Sequence, residues 1–298
     1  MERRAPISLT VAAEKLGVHY MTAYRYVRTG RLPATRDGVQ WRVDPVDIER
    51  WLSETTPPAS RGSRAGARHR LEHRMVAGDA VGAWSIIERT LASGATPAEI
   101  YLELLIPSLR SIGGRWSTGA LSIVDEHRAS VTAQRLIGRL GPRFLHHGRT
   151  RGSVVIGAPS GDLHALPSAI MSDLLRDLRF TVVDLGADTP PETFVDATRD
   201  VSRLLAVCVG TSGSGCDEAI AATVAAVKEA GVAAPVLVGG GGVADADHAR
   251  RLGADGWTGD DARTALAAIE ATAPRPRAPR PRTSRPRTSR PRPPRPRN

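Results

Sequence analysis

The sequence predicts a multidomain protein of the α and α/β classes: a small helical head with a β wing, a helical bundle, a flavodoxin-like doubly wound sheet, and a disordered tail. Three observations predict it. Residues 151–272 alternate apolar strand-like runs with helical patterns, as a parallel sheet requires. Residues 69–145 carry apolar side chains at helical spacing. Residues 7–52 alternate short helical and turn signals. At 298 residues the chain has room for about two or three compact domains.

The formal charge of +10 points at first to an acidic partner, but Pro274 to Asn298 hold ten arginines and no acid. The tail therefore accounts for the whole excess, and the body is near neutral. Lys15 and Lys228 are the only lysines, so the basic chemistry is guanidinium. That suits phosphate forks and is equally the product of a GC-rich genome. Cys208 lies in an apolar run and Cys216 in a Gly/Ser loop, forming neither a disulfide framework nor a C-x-x-C motif, which predicts a reducing cytosol. Glu14 and Lys15 interrupt the N-terminal apolar residues, and no apolar run reaches the ~18 residues of a membrane span. The expectation is a soluble, cytoplasmic chain with no membrane partner.

In the head, residues 1–52, "LTVAAEKLGVHYMTAYRYVRTGRLPA" reads as a helix, a turn at Gly17 and a second helix from His19 to Arg28. "TRDGVQWRV" follows with an Asp-Gly turn between short β segments, and "DPVDIERWL" closes the module with an acid-capped helix. This order resembles the winged helix-turn-helix of MerR-family and excisionase-type regulators. The resemblance implies double-stranded operator DNA as partner, with Tyr20, Met21, Thr22, Tyr24 and Arg25 facing base edges and Arg28, Arg36 and Arg42 holding phosphates. The competing reading is a protein–protein module with Tyr24 and Tyr26 partly packed. Residues 53–68, "SETTPPASRGSRAGAR", read as a flexible linker with a reach of ~20–24 Å. One tethered head offers few contacts, so the resemblance implies a homo-oligomer, dimer or tetramer, that sets several heads on neighbouring half-sites.

The bundle, residues 69–148, rests on "AVGAWSIIERTLA", "AEIYLELLIPSLRSIGG" and "IVDEHRASVTAQRLIGRL". Residues 149–273 give strands at "SVVIGA", "FTVVDLG", "LLAVCVG" and "APVLVGG", with a short last one near "DGWTG". Ligands of such sheets bind beyond the carboxyl ends of the strands, at the switch point of strand order. "APSGDLHALP" sits there, after the first strand. A lone histidine in such a loop is most often a polar surface residue. "GDLH", however, resembles the D-x-H-x-x-G motif of cobalamin-binding domains, which implies His164 as the lower ligand of cobalt and Asp162 as its orienting carboxylate.

Trp116, nine intervening residues and then Glu126-His127 is similar to the W-x9-E-H signature of light-responsive, adenosylcobalamin-using MerR regulators of the CarH type. There the indole fills the space over the corrin, and the acid and imidazole hydrogen-bond the adenosyl group. For Trp116 alone, ordinary core packing is the competing reading. "DLGADTPPE" resembles the family's second-strand loop, and Gly239 and Gly240 in "VGGGGV" match the pair that lets backbone approach the buried nucleotide tail. Three departures stand out. Pro167 replaces the motif's glycine. The Ser-x-Leu after the third strand has no clean counterpart: Thr211 or Ser212 serves, or Gly210 takes the serine's place and the contact is lost. Ser117 stands where photoreceptor members can have a cobalt-capturing histidine.

The tail repeats "TSRPR" and cannot bury a core, so it is expected to stay extended, either gripping phosphates or simply solvated. Three functions follow from the resemblance. The first is an adenosylcobalamin-dependent, light-responsive repressor, cytoplasmic and nucleoid-associated, whose oligomer and operator binding the cofactor switches. The second senses cobalamin or another small molecule without photochemistry. The third, a corrinoid carrier for methyl transfer, shares sheet and bundle, but the head and bulky Trp116 argue against it. No nucleophile–base pair, zinc cluster or phosphate loop is present, so no enzyme activity is expected. His69 and His73, and the pair His146 and His147, are read as solvated.

Overall fold

The structure is a computed structural model that describes residues 6–16, 20–28, 32–38, 40–48 and 58–273. It divides into two compact units at Phe144/Leu145. The Arg/Pro tail, residues 274–298, lies outside the described residues.

In the head, β1 (Ile7–Ser8) leads into α1 (Leu9–Lys15) and α2 (Tyr20–Arg28), followed by β2 (Thr35–Asp37), β3 (Gln40–Val43) and a helical turn α3 over residues 45–48. β2 and β3 form the expected antiparallel hairpin, turned at Gly38 with φ +60°. β1 pairs with the other edge of β3, giving the order β1-β3-β2, and was not foreseen. The two residues are too few to show a period. Leu9, Ala12, Ala13, Ala23, Val27, Leu32, Val43 and Ile48 close a small core.

The bundle begins earlier than the sequence predicts. α4 runs Pro58–Val76, so residues 58–68, expected as linker, are helical, and residues 53–57 lie outside the described residues. Composition misled because Gly62 and Gly66 each cost about 1 kcal/mol relative to alanine in isolation. Packing overrides that: Ala67, Leu71 and Met75 are buried, and Arg64 pairs with Glu103 and Glu99. α5 (Ala80–Ala92) starts on Asp79, whose carboxylate accepts from the Gly82 N–H at 2.8 Å. Thr96 and Glu99 form a reciprocal capping box that opens α6 (Pro97–Glu99). A π-helical stretch, Ile100–Leu105, then joins α6 to α7 (Ile106–Ser117). Pro107 has no N–H to give and crowds the carbonyl four residues back, and the wider turn lies just ahead of it. Ser122 caps α8 (Ile123–Leu140), and a 3-10 turn, Gly141–Phe144, stacks Phe144 on Tyr101 at 4.9 Å.

The second unit is the expected doubly wound sheet. Its strands are β4 (Ser153–Gly157), β5 (Thr181–Asp184), β6 (Leu204–Gly210), β7 (Val236–Gly239) and β8 (Gly256–Trp257), all parallel in the order β5-β4-β6-β7-β8. The helices are α9 (Ala165–Asp177), α10 (Pro191–Arg199), α11 (Asp217–Glu229), α12 (Ala246–Arg251) and α13 (Ala262–Thr272). The period of two sorts the core. Val155, Val207, Val209, Val236 and Val238 pack with Phe194, Ile220 and Val224 on one face, while Val154, Ile156, Ala206, Cys208 and Leu237 pack with Leu175 and Ile269 on the other. Strand order reverses between β4 and β6, so the loops after those strands border the crevice that such sheets offer to ligands.

Candidate corrinoid site

β4 ends at Gly157 and its chain turns through Pro159–Gly161 before α9 begins. Asp162 lies in that loop with its side chain 3% exposed, and His164 stands 64% exposed at the N-cap of α9. A buried carboxylate must be matched by donors. Asp162 Oδ1 accepts from the His164 backbone N–H at 3.0 Å and lies 2.6 Å from His164 Nδ1, while Oδ2 accepts from the Ser212 N–H at 2.8 Å. Burial pushes the Asp162 carboxyl pKa up, but the Ser212 and His164 N–H groups, the imidazole and the Thr211 hydroxyl outweigh it and hold it below the usual 3.8.

An ionised carboxylate can only accept, so in the neutral ring Nδ1 carries the hydrogen and Nε2 the lone pair. Among the described residues His164 Nε2 has no hydrogen-bond partner. The loop thus presents one oriented, unshared nitrogen to the outside. Among the described residues no cluster of three or more His, Cys, Asp or Glu side chains is placed to hold a bare metal ion. One nitrogen is the donor set for a cobalt ion whose equatorial positions a corrin already fills, so these residues fit that group.

Pro167 is the third residue of α9, where its missing N–H has no intrahelical partner in any case. The Ser212 backbone N–H donates to Asp162, and the Thr211 hydroxyl donates to Gly213 O at 3.1 Å. A Cβ on Gly239 would sit 2.0 Å from Thr258 Oγ1, and one on Gly240, with φ +91°, 2.2 Å from Thr211 O. Gly239 thus lets the end of β7 lie against the chain after β8, and Gly240 lets the loop after β7 lie against the loop after β6. One residue of this site lies in the "DLGADTPPE" loop but was not singled out in the sequence: Asp188, whose carboxylate accepts from Gly161 N–H at 2.8 Å. Its signal was an aspartate just before "TPPE", in a loop where such residues adopt left-handed turns.

The first unit holds the other expected cofactor residues. Trp116, at the end of α7, is 47% exposed, which removes ordinary core packing as its explanation. Glu126 Oε2 lies 3.0 Å from His127 Nδ1, and Glu126 Oε1 accepts from Ser130 at 2.6 Å. His127 lines an open groove of about 460 Å³ along α8 with Ile123, Val124, Arg128 and Val131; Trp116 and Glu126 do not line it.

In the head, Tyr20, Met21, Thr22 and Arg25 fall on α2, but their side chains lie outside the described residues. Tyr24 is half-buried against the head's core and Arg28 is exposed at the helix end. Arg36 stacks over Trp41 at 5.9 Å, and Arg42 pairs with Asp37 at 3.3 Å. Both guanidiniums therefore have partners inside the hairpin. His69 and His73 on α4 are exposed as expected, as are His146 and His147, and His146 also pairs with Asp177 at 3.0 Å.

The sequence matches B12 binding domains over residues 67–140 and 152–269, and a helix-turn-helix domain over residues 7–56. This chain is a cobalamin-binding protein with an N-terminal helix-turn-helix. The trimethylamine corrinoid protein 1 of Methanosarcina acetivorans is 27% identical over 197 residues, 62% of this chain and 87% of that protein. The trimethylamine corrinoid protein 2 of Methanosarcina mazei is 28% identical over 62% of this chain and 86% of its own length. The Methanosarcina barkeri monomethylamine corrinoid protein shares the fold, with a TM-score of 0.59 at 17% identity, over 70% of this chain and 99% of that chain.

These relatives overturn the light-responsive repressor as the reading of this cobalamin-binding protein, and with it the MerR-family and photoreceptor assignments and operator DNA as the partner. Nearly the whole of each trimethylamine corrinoid protein aligns with this chain. A cobalamin sensor and a corrinoid carrier share the cap and the doubly wound sheet, so the scaffold does not separate them, and W-x9-E-H is three residues on two helices. Among the described residues no helix is long and apolar enough to cross a membrane.

Proposed function

We propose that the cobalamin-binding protein is a corrinoid carrier for methyl transfer, in which His164 would hold the corrinoid's cobalt through Nε2 and a separate methyltransferase is the partner. The observation that carries this reading is the oriented, unshared Nε2 of His164 at the switch point of the sheet, in a chain whose relatives are named trimethylamine corrinoid proteins. When bound, the corrinoid supplies a cobalt ion that takes up and gives back a methyl group. Asp162 keeps the Nδ1 proton in place, which fixes the ring and raises the basicity of Nε2. Ser212 and Thr211 hold the carboxylate charged, so that the tautomer does not drift at neutral pH. By analogy with its relatives, the methyl source is a methylated amine. The chain is a carrier and not itself the catalyst, and its two free thiols and lack of an apolar spanning helix among the described residues accord with a cytoplasmic setting.

Binding is tested by mixing the purified chain with methylcobalamin or hydroxocobalamin, desalting, and recording the visible spectrum. Wild type is expected to retain about one corrinoid per chain, and His164→Ala to lose the nitrogen splitting in the paramagnetic resonance spectrum of the reduced Co(II) form. The transfer itself is tested by incubating the loaded chain with a methylamine and a corrinoid-dependent methyltransferase, following methylation by absorbance. Retention of no corrinoid, or Co(II) nitrogen splitting unchanged in His164→Ala, overturns the assignment of the ligand. A loaded chain that no such methyltransferase methylates overturns the carrier.

A further inference from the structure

We propose that Asp188 is a positioning residue for the His164 loop: it brackets the Gly161–Asp162 segment and so fixes where the imidazole points. The proposal rests on the reading of His164 as axial donor. Asp188 belongs to the loop between β5 and α10, 24 residues beyond the histidine. It touches the His164 loop twice. Its Oδ1 accepts from the Gly161 N–H at 2.8 Å, and its own N–H donates to Asp162 O at 2.8 Å. One residue thus holds the peptide group before Gly161 and the one after Asp162.

The contacts demand an unusual backbone at both ends. Asp188 adopts φ +50° and Gly161 φ +87°. Left-handed conformations cost most side chains energy, and Asp is one of the few residues that adopts them as single positions. Around them the two loops are stitched further: Ala158 N–H donates to Gly186 O at 2.8 Å, and Thr189 N–H donates to Ala158 O at 3.0 Å. Those are backbone bonds that any residue would supply. The carboxylate of Asp188 is the one side-chain group in this seam that reaches Gly161.

The consequence for the imidazole is geometric. Asp162 aims His164 only if its own main chain is fixed, because Oδ1 accepts both the His164 N–H and the Nδ1 hydrogen. Ser212 fixes the far oxygen of Asp162, and Asp188 fixes the backbone from which that side chain hangs. Without the Asp188 carboxylate, the Gly161 N–H loses its acceptor, the turn is held only by Asp162 N–H to Pro159 O and Asp188 N–H to Asp162 O, and the Asp162–His164 pair is less firmly aimed.

Three variants separate the parts of this clamp. Asp188→Gly keeps the left-handed backbone and the N–H and removes the carboxylate; Asp188→Asn keeps an acceptor oxygen; Asp188→Ala adds backbone strain. In the cofactor-free chain, Asp188→Gly is expected to raise amide exchange at Gly161 by about tenfold and to turn the single Nδ1–H tautomer of His164, read by imidazole ¹⁵N resonances, into a mixture, with Asp188→Asn matching wild type. In the cobalamin-loaded, reduced chain, the Co(II) nitrogen splitting should broaden in Asp188→Gly and recover in Asp188→Asn.

Wild-type exchange and tautomer in Asp188→Gly, or no recovery in Asp188→Asn, would overturn the clamp. His164→Ala run in parallel keeps the two readings apart. If that variant retains the splitting, the axial-donor reading fails, while the cofactor-free measurements still decide the role of Asp188.

Discussion

Two places in the molecule set a carboxylate beside an imidazole, and they are built differently. Asp162 and His164 come from a loop at the end of β4, and Glu126 and His127 from consecutive positions on α8. The first carboxylate is buried and accepts from two backbone N–H groups besides the imidazole. The second is partly exposed and has a serine hydroxyl as its other partner. An acid–imidazole contact is therefore not by itself a ligand site. What distinguishes the loop is that main chain from two loops holds the carboxylate whether or not the imidazole is present. Glu126, by contrast, has only side-chain partners, His127 and Ser130.

The largest expected effect comes from breaking the first pair. Asp162→Ala removes the acceptor of the Ser212 and His164 N–H groups, both on exposed residues, so stability should fall by about 0.5–1.5 kcal/mol per hydrogen bond lost. It also frees the imidazole, so corrinoid retention should fall by about 10–100-fold, as for other residues that orient a metal ligand. Denaturant unfolding and equilibrium dialysis check the two parts separately. If retention drops without a change in stability, the carboxylate acts only on the imidazole.

Gly240→Ala tests whether the support of Asp162 extends outward. Its methyl group would meet Thr211 O and require a strained φ, so a loss of about 1–3 kcal/mol is expected, with the Ser212 amide moving in the nitrogen–proton correlation spectrum. An unchanged Ser212 resonance would show that the loop after β6 does not depend on the glycines behind it.

Acid titration sharpens the comparison without mutation. Asp162 has a folded-state pKa below 3.8, so its contribution is complete above that value and is lost as pH falls through the lower folded one. Wild type and Asp162→Asn should therefore differ most in urea midpoint above pH 3.8 and converge below it. A difference that persists at lower pH would mean the side chain matters through shape rather than charge.

The smallest effect is expected from the second pair. Glu126→Gln and His127→Ala should change stability by no more than about 0.5 kcal/mol, the usual range for exposed polar contacts. Corrinoid retention should stay within about twofold of wild type; a tenfold loss would put α8 at the cofactor.

The parts legible in the sequence were those with a strong period. The apolar runs of β4, β6 and β7 announced a buried parallel sheet, and the Asp-Gly turn announced the β2–β3 hairpin. The contact between Asp162 and His164 was legible because "GDLH" resembles the D-x-H-x-x-G motif, and a two-residue spacing lets the aspartate accept from the imidazole. What escaped depended on distant partners. Residues 58–68 look like linker until Leu71 and Met75 are buried, and Arg64 finds its glutamates 35 and 39 residues away. Gly239 and Gly240 suggested close backbone approach to a ligand, and nothing local reveals that Thr258 and Thr211 also lie beside them. Function was the hardest to read. The scaffold that holds a corrinoid does not encode what passes through it, and a three-residue helical signature outweighed the likeness of whole domains.

The placing of β4 between β5 and β6 sets an order of assembly. Gly161 and Asp188 are 27 residues apart, whereas Asp162 and Ser212 are 50 apart and meet only once the chain has crossed back over β4. Closing the longer loop costs about 0.5 kcal/mol more in chain entropy. That difference favours closing the Asp188 wall of the imidazole's cradle before the Ser212 wall by about a factor of two. Pulse labelling during refolding should record Asp188 becoming protected ahead of Ser212.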